Sequence, residues 1–422
     1  MSTTAGPMAR REAKLAYSML LPTIFVVLAI VLLPLAATFW ISVKPVTLND
    51  LRAPEATAKA RLRGSLEAAG DSAILEFRLR NTSQQKPVSD ITFKATMPTG
   101  ITITEVDPRC QYAAPDLSCD FDDFPAKFSE RLKIPVTADA SYIKNPVPLK
   151  SITPLMSGTS DNVLTNFSFT TSNFTKIFDS ESFWHVLWVT MVYTFAGTIG
   201  ALIMGLFAAQ LLQREFKGRT VVRGLFLFPY VAPVIAMAFT WLVLFDPYSG
   251  VVNALLKQMG VVSESINFFG IRDTPIDLFG MEFQFPVALS MVIAFEIWRY
   301  FPLAFMFIMA RMQSIPTDMY EAAEMDGASP LQQFWSLSLP QLAGILAVLF
   351  LLRFIWTFNK FDDIFLLTGG NAGTRTLTVD VYEQAFALSN LGAGSAVAVV
   401  IFVLLLIMSL LYFRSIPKEE GL

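Results

Sequence analysis

Residues 321–340 read EAAEMDGASPLQQFWSLSLP, and this stretch decides how the rest of the chain is read. Glu321-Ala322-Ala323 is followed after three residues by Gly327 and after nine more by Leu337-x-Leu339-Pro340. The segment carries Glu321, Glu324 and Asp326 but no Lys or Arg, and it lies between two long apolar runs. It reads as an acidic, amphipathic helix-turn-helix. A helix beginning near Thr317 would be N-capped by that residue, with Asp318 and Glu321 favourable in its first turn. Ala322, Ala323 and Ala328 keep it slim. Gly327 permits a sharp turn or the close approach of another backbone. Pro330 begins a second helix and Pro340 marks its junction with the next apolar run. Phe334, Trp335 and Leu337 are expected to pack beneath the loop. Such a surface suits docking better than catalysis; the competing reading is an ordinary solvated connection.

Working outward, the composition is that of a membrane protein. The 422 residues are 53% hydrophobic and 16% charged, with 37 Phe and a mean hydropathy of +0.50. Soluble domains rarely combine so few charges with so much apolar side chain. A bilayer core of roughly 30 Å takes about 20 apolar residues per helix. The net charge of −3 comes with no basic tail or stripe, so nothing points to nucleic acid. A single histidine, His185, argues against histidine-based acid–base catalysis and histidine-rich metal sites. No G-x-x-x-x-G-K-S/T, G-x-S-x-G or zinc ligand set occurs, so the chain has no phosphate-cradling loop and is read as a non-enzyme without a metal.

Residues 1–14 precede a first span at 15–43, which is too long for a signal-peptide core and lacks a small-residue cleavage site. Further spans fall near 183–212, 222–245, 284–310, 341–358 and 393–413. Basic residues in short loops set their direction. Arg10, Arg11 and Lys14 place the N-terminus inside; Arg214, Lys217, Arg219 and Arg223 do the same for the loop after span two. Arg414 and Lys418 place the tail 414–422 inside. Six spans satisfy all three assignments. The quoted loop is then inside too, yet it is acidic apart from Arg311. A basic partner surface would explain that departure.

The region 45–147 is then outside and reads as β-structure. Leu75, Phe77 and Leu79 alternate with Glu76, Arg78 and Arg80. Ile91, Phe93, Ala95 and Met97 alternate with Thr92, Lys94 and Thr96, and Leu132, Ile134 and Val136 form a third set. With turn signals between them, these segments indicate an antiparallel sandwich. Cys110 and Cys119 lie within it. In an exported domain they form either a short-loop disulfide or two free thiols, since spacing alone proves no bond. Residues 148–182, rich in Ser, Thr and Asn, read as a linker. Phe167, Phe169, Phe174 and Phe178 within it, with Phe183 just after it, either lie on the outer membrane surface or pack against the spans.

Polar groups inside the spans are the remaining signal, because a charge at mid-bilayer is costly and usually faces a cavity or a partner. Glu296 and Arg299 are three apart on one helical face, as an intrahelical pair or as part of a substrate path. Arg353, Asn359, Lys360, Asp362 and Asp363 lie toward the outer end of span five, at the interface or in that path. Tyr230, Trp298, Tyr300 and Trp356 are aromatic candidates for sugar stacking, with packing as the alternative. Pro229 and Pro233 in LFPYVAPVI should kink or break span three.

The quoted segment resembles the EAA loop of binding-protein-dependent ABC importer permeases (EAA, three residues, G, nine residues, I-x-LP). The likeness extends through 183–413, including LFPYVAPVIAMAFTW, EIWRYFP and FNKFDDIFLLTGG, and is to the maltose-type sugar permeases. It implies an all-α polytopic membrane protein: six transmembrane helices with an ABC importer permease core at 183–413 and an EAA loop at 317–340. The run MPTGITITEVDPRCQYAAPDLSCDF is similar to bacterial immunoglobulin-like repeats, which implies an inserted extracytoplasmic immunoglobulin-like sandwich. The family further implies a bacterial cytoplasmic membrane location, a second permease, two ATP-binding subunits carrying ATP and magnesium, and an extracytoplasmic binding protein delivering a sugar. The chain itself would need no cofactor, and its remaining contact is membrane lipid. ATPase coupling would fall to Glu321, Ala322, Ala323, Asp326, Gly327 and Pro340. Substrate contacts would fall to Tyr230, Arg299, Tyr300, Arg353, Thr357 and Lys360. Arg353 and Lys360 replace the small polar residues of the maltose type. A polyol or glycerophosphodiester therefore stays open as cargo. A proton-coupled secondary transporter using Glu296 or Asp362, and an anchored scaffold whose sandwich does the work, are the rivals outside the family.

Overall fold

A computed structural model describes residues 7–84, 86–213, 215–278 and 281–415. Arg214, Lys418 and most of the tail 414–422 lie outside these residues, so the topological roles assigned to them do too. Contacts divide the chain into two units. One holds Lys44–Thr170 with Ser389–Leu391; the other holds the remaining described residues.

Among the described residues the helical unit has five helices long and apolar enough to cross a membrane, or up to six if one bent pair counts as a span. They are α1 (Leu15–Ser42), α2 (Glu181–Gln213), the pair α3 (Arg219–Val231) and α4 (Val234–Leu244), α5 (Val287–Gln313), α7 (Pro330–Phe358) and α10 (Leu391–Ser415). Between α5 and α7 lies the short α6 (Thr317–Met325). After α7 come α8 (Asp362–Thr368) and α9 (Leu377–Tyr382).

The helix α1 is apolar all round and exposed along its length, as suits a helix bathed in lipid. Phe39 packs edge-on against Phe402 of α10, with ring centroids 5.6 Å apart. The helices α2 and α5 approach closely because α2 presents glycines to α5. A Cβ on Gly205 would stand 2.7 Å from Ala304 Cβ and 2.8 Å from the backbone nitrogen of Phe305. Small residues serve helix contacts in membranes because no hydrophobic drive separates helix from lipid. The α3–α4 pair bends by 95° at Ala232-Pro233, where Pro233 supplies no backbone donor. The kink expected from the prolines is therefore a sharp break.

The second unit is two four-stranded antiparallel sheets. The first, in the order β1-β2-β7-β4, uses β1 (Ala56–Arg63), β2 (Ser72–Asn81), β4 (Ile101–Ile103) and β7 (Ser129–Ala138). The second, in the order β5-β6-β3-β8, uses β3 (Ser89–Thr96), β5 (Cys110–Ala113), β6 (Asp116–Phe121) and β8 (Leu155–Thr159). Register places Leu75 opposite Ile134 and Phe77 opposite Leu132 in one sheet, and Phe93 opposite Cys119 in the other. These alternating residues are buried in one shared core. The ring of Phe77 meets that of Phe93 across the sheets at 5.0 Å. Glu76 lies on the other face and is held by Arg63 at 2.7 Å and Arg131 at 3.2 Å. Cys110 and Cys119 stand opposite one another on β5 and β6 and are joined in a disulfide.

Strand β8 departs from the sequence reading, which ends the sandwich at 147 and begins a linker at 148. It pairs with β3 and completes the second sheet. Its signal was hidden because four of its five residues are exposed, so no alternation is visible. Gly158 is required where it packs on Val88, since a Cβ would come within 2.8 Å of Val88 Cγ1. The unit closes on itself at Lys44. This residue is fully buried, and its ammonium donates to the carbonyl oxygens of Val163, at 3.1 Å, and Asn166. Of these phenylalanines, Phe183 is buried in the helical core, whereas Phe167, Phe169 and Phe178 are exposed.

Candidate functional site

Two constellations concentrate the polar chemistry of the helical unit. The first is the hairpin made by α6 and the start of α7. Helix α6 begins at Thr317 with Pro316, not Thr317, as its N-cap, so no side chain caps it. Proline fits there because its missing donor would be unpaired in any case. Asp318 lies in the first turn as expected, whereas Glu321 falls beyond it, in the second. The helix ends at Met325 with Asp326 as its C-cap, and Gly327 follows with φ +78. A Cβ there would meet nothing within 4 Å, so the left-handed backbone, rather than crowding, accounts for the glycine. Ala328 N–H bonds back to Ala323 at 2.9 Å, closing the turn.

Ser329 and Gln332 form a capping box and Pro330 opens the second arm. That arm is continuous with span five. Phe334–Ser338 is a π-helical turn, and Leu339 and Pro340 follow it. The expected junction at Pro340 is thus a widened helical turn and not a break; the extra residue accommodates a proline that cannot donate. Tyr320 and Ser338 hydroxyls meet at 2.9 Å and tie the two arms together. Glu321, Ala322, Glu324, Asp326, Gly327 and Pro340 are exposed, with Ala323 half-buried. Phe334 and Leu337 are half-buried, but Trp335 is 60% exposed, contrary to the expected packing beneath the loop. With exposed Met325 and Leu331 it adds apolar area to an acidic surface.

The second constellation gathers all six expected substrate contacts in the helical core. Tyr300 of α5 is its centre. Its ring lies 6.1 Å from that of Tyr230 on α3. The charged ends of Arg353, Lys360 and Arg299 stand 4.3, 4.4 and 5.5 Å from the ring centroid. Arg299 Nε donates to the Tyr300 hydroxyl at 3.2 Å. Glu296 is fully buried and forms an ion pair with buried Arg353 of α7. Thr357 and Tyr193 hydroxyls donate to the two Glu296 oxygens at 2.9 and 3.0 Å. Arg353 also donates to Thr357 at 2.9 Å. Thus α2, α5 and α7 are joined by one polar network. Gly197 of α2 makes room for it, since a Cβ there would stand 2.9 Å from Glu296 Cγ.

This geometry corrects two readings. Glu296 and Arg299 are not an intrahelical pair: Glu296 takes Arg353, and Arg299 faces Asp363 of α8 at 4.0 Å. Nor is Asp363 an interfacial residue, for it is fully buried, 3.9 Å from Lys360. Asp362, 3.6 Å from Lys360, is the half-buried one of the two. Trp356 is exposed, while Trp298 is half-buried and packs on Trp241 at 5.5 Å. Tyr193 escaped the sequence reading. Its signal is the hydroxyl ladder Thr190, Tyr193, Thr194 and Thr198 at helical spacing, all buried on one stripe of α2.

Among the described residues no group of three or more His, Cys, Asp and Glu could hold a metal ion.

Residues 201–419 match the family model described as "Binding-protein-dependent transport system inner membrane component". The inner membrane ABC transporter permease protein YcjO of Escherichia coli strain K12 is 37% identical over 241 residues, which cover 57% of this chain and 77% of that protein. The trehalose/maltose transport system permease protein MalF of Thermococcus litoralis is 33% identical over 243 residues, covering 57% of this chain and 77% of that one. The sulfoquinovosyl glycerol transport system permease protein SmoG of Agrobacterium fabrum is 33% identical over 252 residues, covering 59% and 76%. A solved bacterial ABC transporter involved in import of the acidic polysaccharide alginate shares the fold. Its TM-score is 0.52 at 20% identity, and the match covers 60% of this chain and 86% of that one.

Proposed function

This chain belongs to the binding-protein-dependent transport system inner membrane component family, and from that premise we propose that it is the permease subunit of an ATP-driven sugar or oligosaccharide importer. The observation that carries the reading is the exposed acidic hairpin at Gly327, rigidly continuous with a helix that reaches the Glu296–Arg353–Tyr300 cluster. A push on the hairpin is delivered along one helix, Pro330–Phe358, to Arg353 and Thr357. In this reading Glu321, Ala322, Ala323, Asp326, Gly327 and Pro340 engage a separate ATPase. Tyr230, Arg299, Tyr300, Arg353, Thr357 and Lys360 meet the cargo.

The remaining partners are a second permease, a second ATP-binding subunit and an extracytoplasmic binding protein. The chain crosses a bacterial cytoplasmic membrane six times with both termini inside, and the two-sheet unit is an immunoglobulin-like sandwich outside. The basic loops flanking the spans support that direction.

Vesicles reconstituted with the full complex test the proposal. Uptake of a radiolabelled disaccharide delivered by the binding protein should require ATP on the hairpin side and survive an uncoupler. Uptake by this chain alone without ATP, collapsed by an uncoupler, would establish the proton-coupled alternative instead.

A further inference from the structure

We propose that the outer face of the first sheet is a docking surface for an acidic polysaccharide. The proposal goes beyond the importer reading and stands on the β-unit alone. Strands β1, β2 and β7 lie side by side and turn Ala58, Leu75, Phe77 and Leu132 toward the core. Their alternate residues point the other way. Those include Lys59 and Arg61 on β1, Arg78 and Arg80 on β2, and Lys133 on β7, every one of them exposed. These five cations have no ion-pair partner among the described residues. The one carboxylate that the three strands place on this face, Glu76, is buried and already held by two further exposed cations, Arg63 and Arg131. The charge is one-sided. On β3 and β6 the outward residues of the second sheet set a single cation, Lys94, against Asp116 and Asp120.

Register makes this surplus costly to the fold. Lys59 stands opposite Arg78, and Arg78 opposite Arg131, so three cations cross the sheet in one row. Like charges directly opposite on neighbouring strands are destabilising. A row of about 10 Å that folding alone disfavours marks a surface shaped by what it binds. Carboxylates repeated along an extended chain would balance it, and a guanidinium takes each through two parallel hydrogen bonds. The neighbouring row, Thr57, Arg80 and Ser129, adds hydroxyls that match those of a sugar. The face carries no aromatic ring, since Phe77, the only aromatic residue of the three strands, lies in the core. A bilayer surface or a folded acidic protein would be gripped by such rings, so a flexible, hydroxylated polyanion fits this face better than either.

The full chain in nanodiscs of zwitterionic phosphatidylcholine is titrated into fluorescein-labelled polygalacturonate and followed by fluorescence anisotropy. Binding should saturate at low salt, fade as salt is raised to about 0.5 M, and be absent with labelled dextran, a neutral polysaccharide. The triple variant Lys59→Gln, Arg78→Gln, Arg80→Gln should bind at least about tenfold more weakly, the summed effect of three exposed contacts. Lys94→Gln, on the opposite sheet, should bind as the unmodified chain does. Absence of saturable polygalacturonate binding overturns the proposal, as does undiminished binding by the triple variant or equal loss in Lys94→Gln. Tighter binding of inorganic polyphosphate overturns it in favour of a phosphate polymer. Capture of phosphatidylglycerol vesicles in preference to polygalacturonate, lost in the triple variant, overturns it in favour of a bilayer. If the triple variant does not fold, Arg61→Gln with Lys133→Gln decides: a severalfold loss supports the proposal, and undiminished binding overturns it.

Discussion

Glu296 of α5 and Arg353 of α7 form an ion pair in which neither side chain is more than 1% exposed. A buried pair adds little net stability, because desolvation offsets the attraction, but breaking it strands a charge. Arg353→Met alone should therefore destabilise the helical unit by about 3–5 kcal/mol. Glu296→Gln combined with Arg353→Met should recover most of that loss. Thermal unfolding of the detergent-solubilised complex measures both. Equal losses in the single and double variants would show that the pair is not an interacting unit.

Gly327 to Val should leave the chain inserted and assembled, while uptake falls to background and ATP hydrolysis no longer responds to cargo. The cause is local: β-branched side chains are strongly disfavoured at φ +78, so the hairpin reshapes although nothing crowds the position. Undiminished uptake by this variant would remove Gly327 from the coupling surface.

Tyr230 to Ala should reduce uptake about tenfold or more while the complex purifies intact with unchanged basal ATP hydrolysis. Loss of one aromatic stacking partner is worth on the order of 1 kcal/mol, and a lost cargo contact adds to it. Disassembly, revealed by size-exclusion chromatography, would reassign Tyr230 to packing.

Two glycines offer a matched comparison. Gly205→Ala forces a Cβ to within 2.8 Å of backbone in α5 and should destabilise by roughly 1–3 kcal/mol, the range typical of overpacking. Gly224→Ala meets nothing within 4 Å and should be neutral or stabilising by up to about 1 kcal/mol, through helix propensity. The order of their melting temperatures checks the close α2–α5 contact.

The hairpin and the sandwich core were legible in the sequence because each depends on local periodicity. Leu75, Phe77 and Leu79 announce a strand by alternation, and the turn at Gly327 is marked by the one residue free to adopt it. The six cargo-facing candidates came from family likeness, and the structure gathers them around Tyr300. Their partnerships were not legible. Glu296 has Arg299 one turn away and Arg353 fifty-seven positions away, and only helix packing selects the distant one. Asp363 next to Asp362 looks like one of two interfacial acids until α8 turns it inward. Strand β8 was missed for the opposite reason: an exposed edge strand carries no hydrophobic pattern to read.

Lys44 holds together the place where the chain comes into the β-unit and the place, near Val163 and Asn166, where it leaves. With both ends fastened at one point, the span of chain between them acts on its flanks as a short connection, whatever its length. The β-unit is in this sense a cassette. Leu48 N–H, bonded to the carbonyl oxygen of Ser389 at 3.0 Å, adds the short segment Ser389–Leu391 to it as a second fastening.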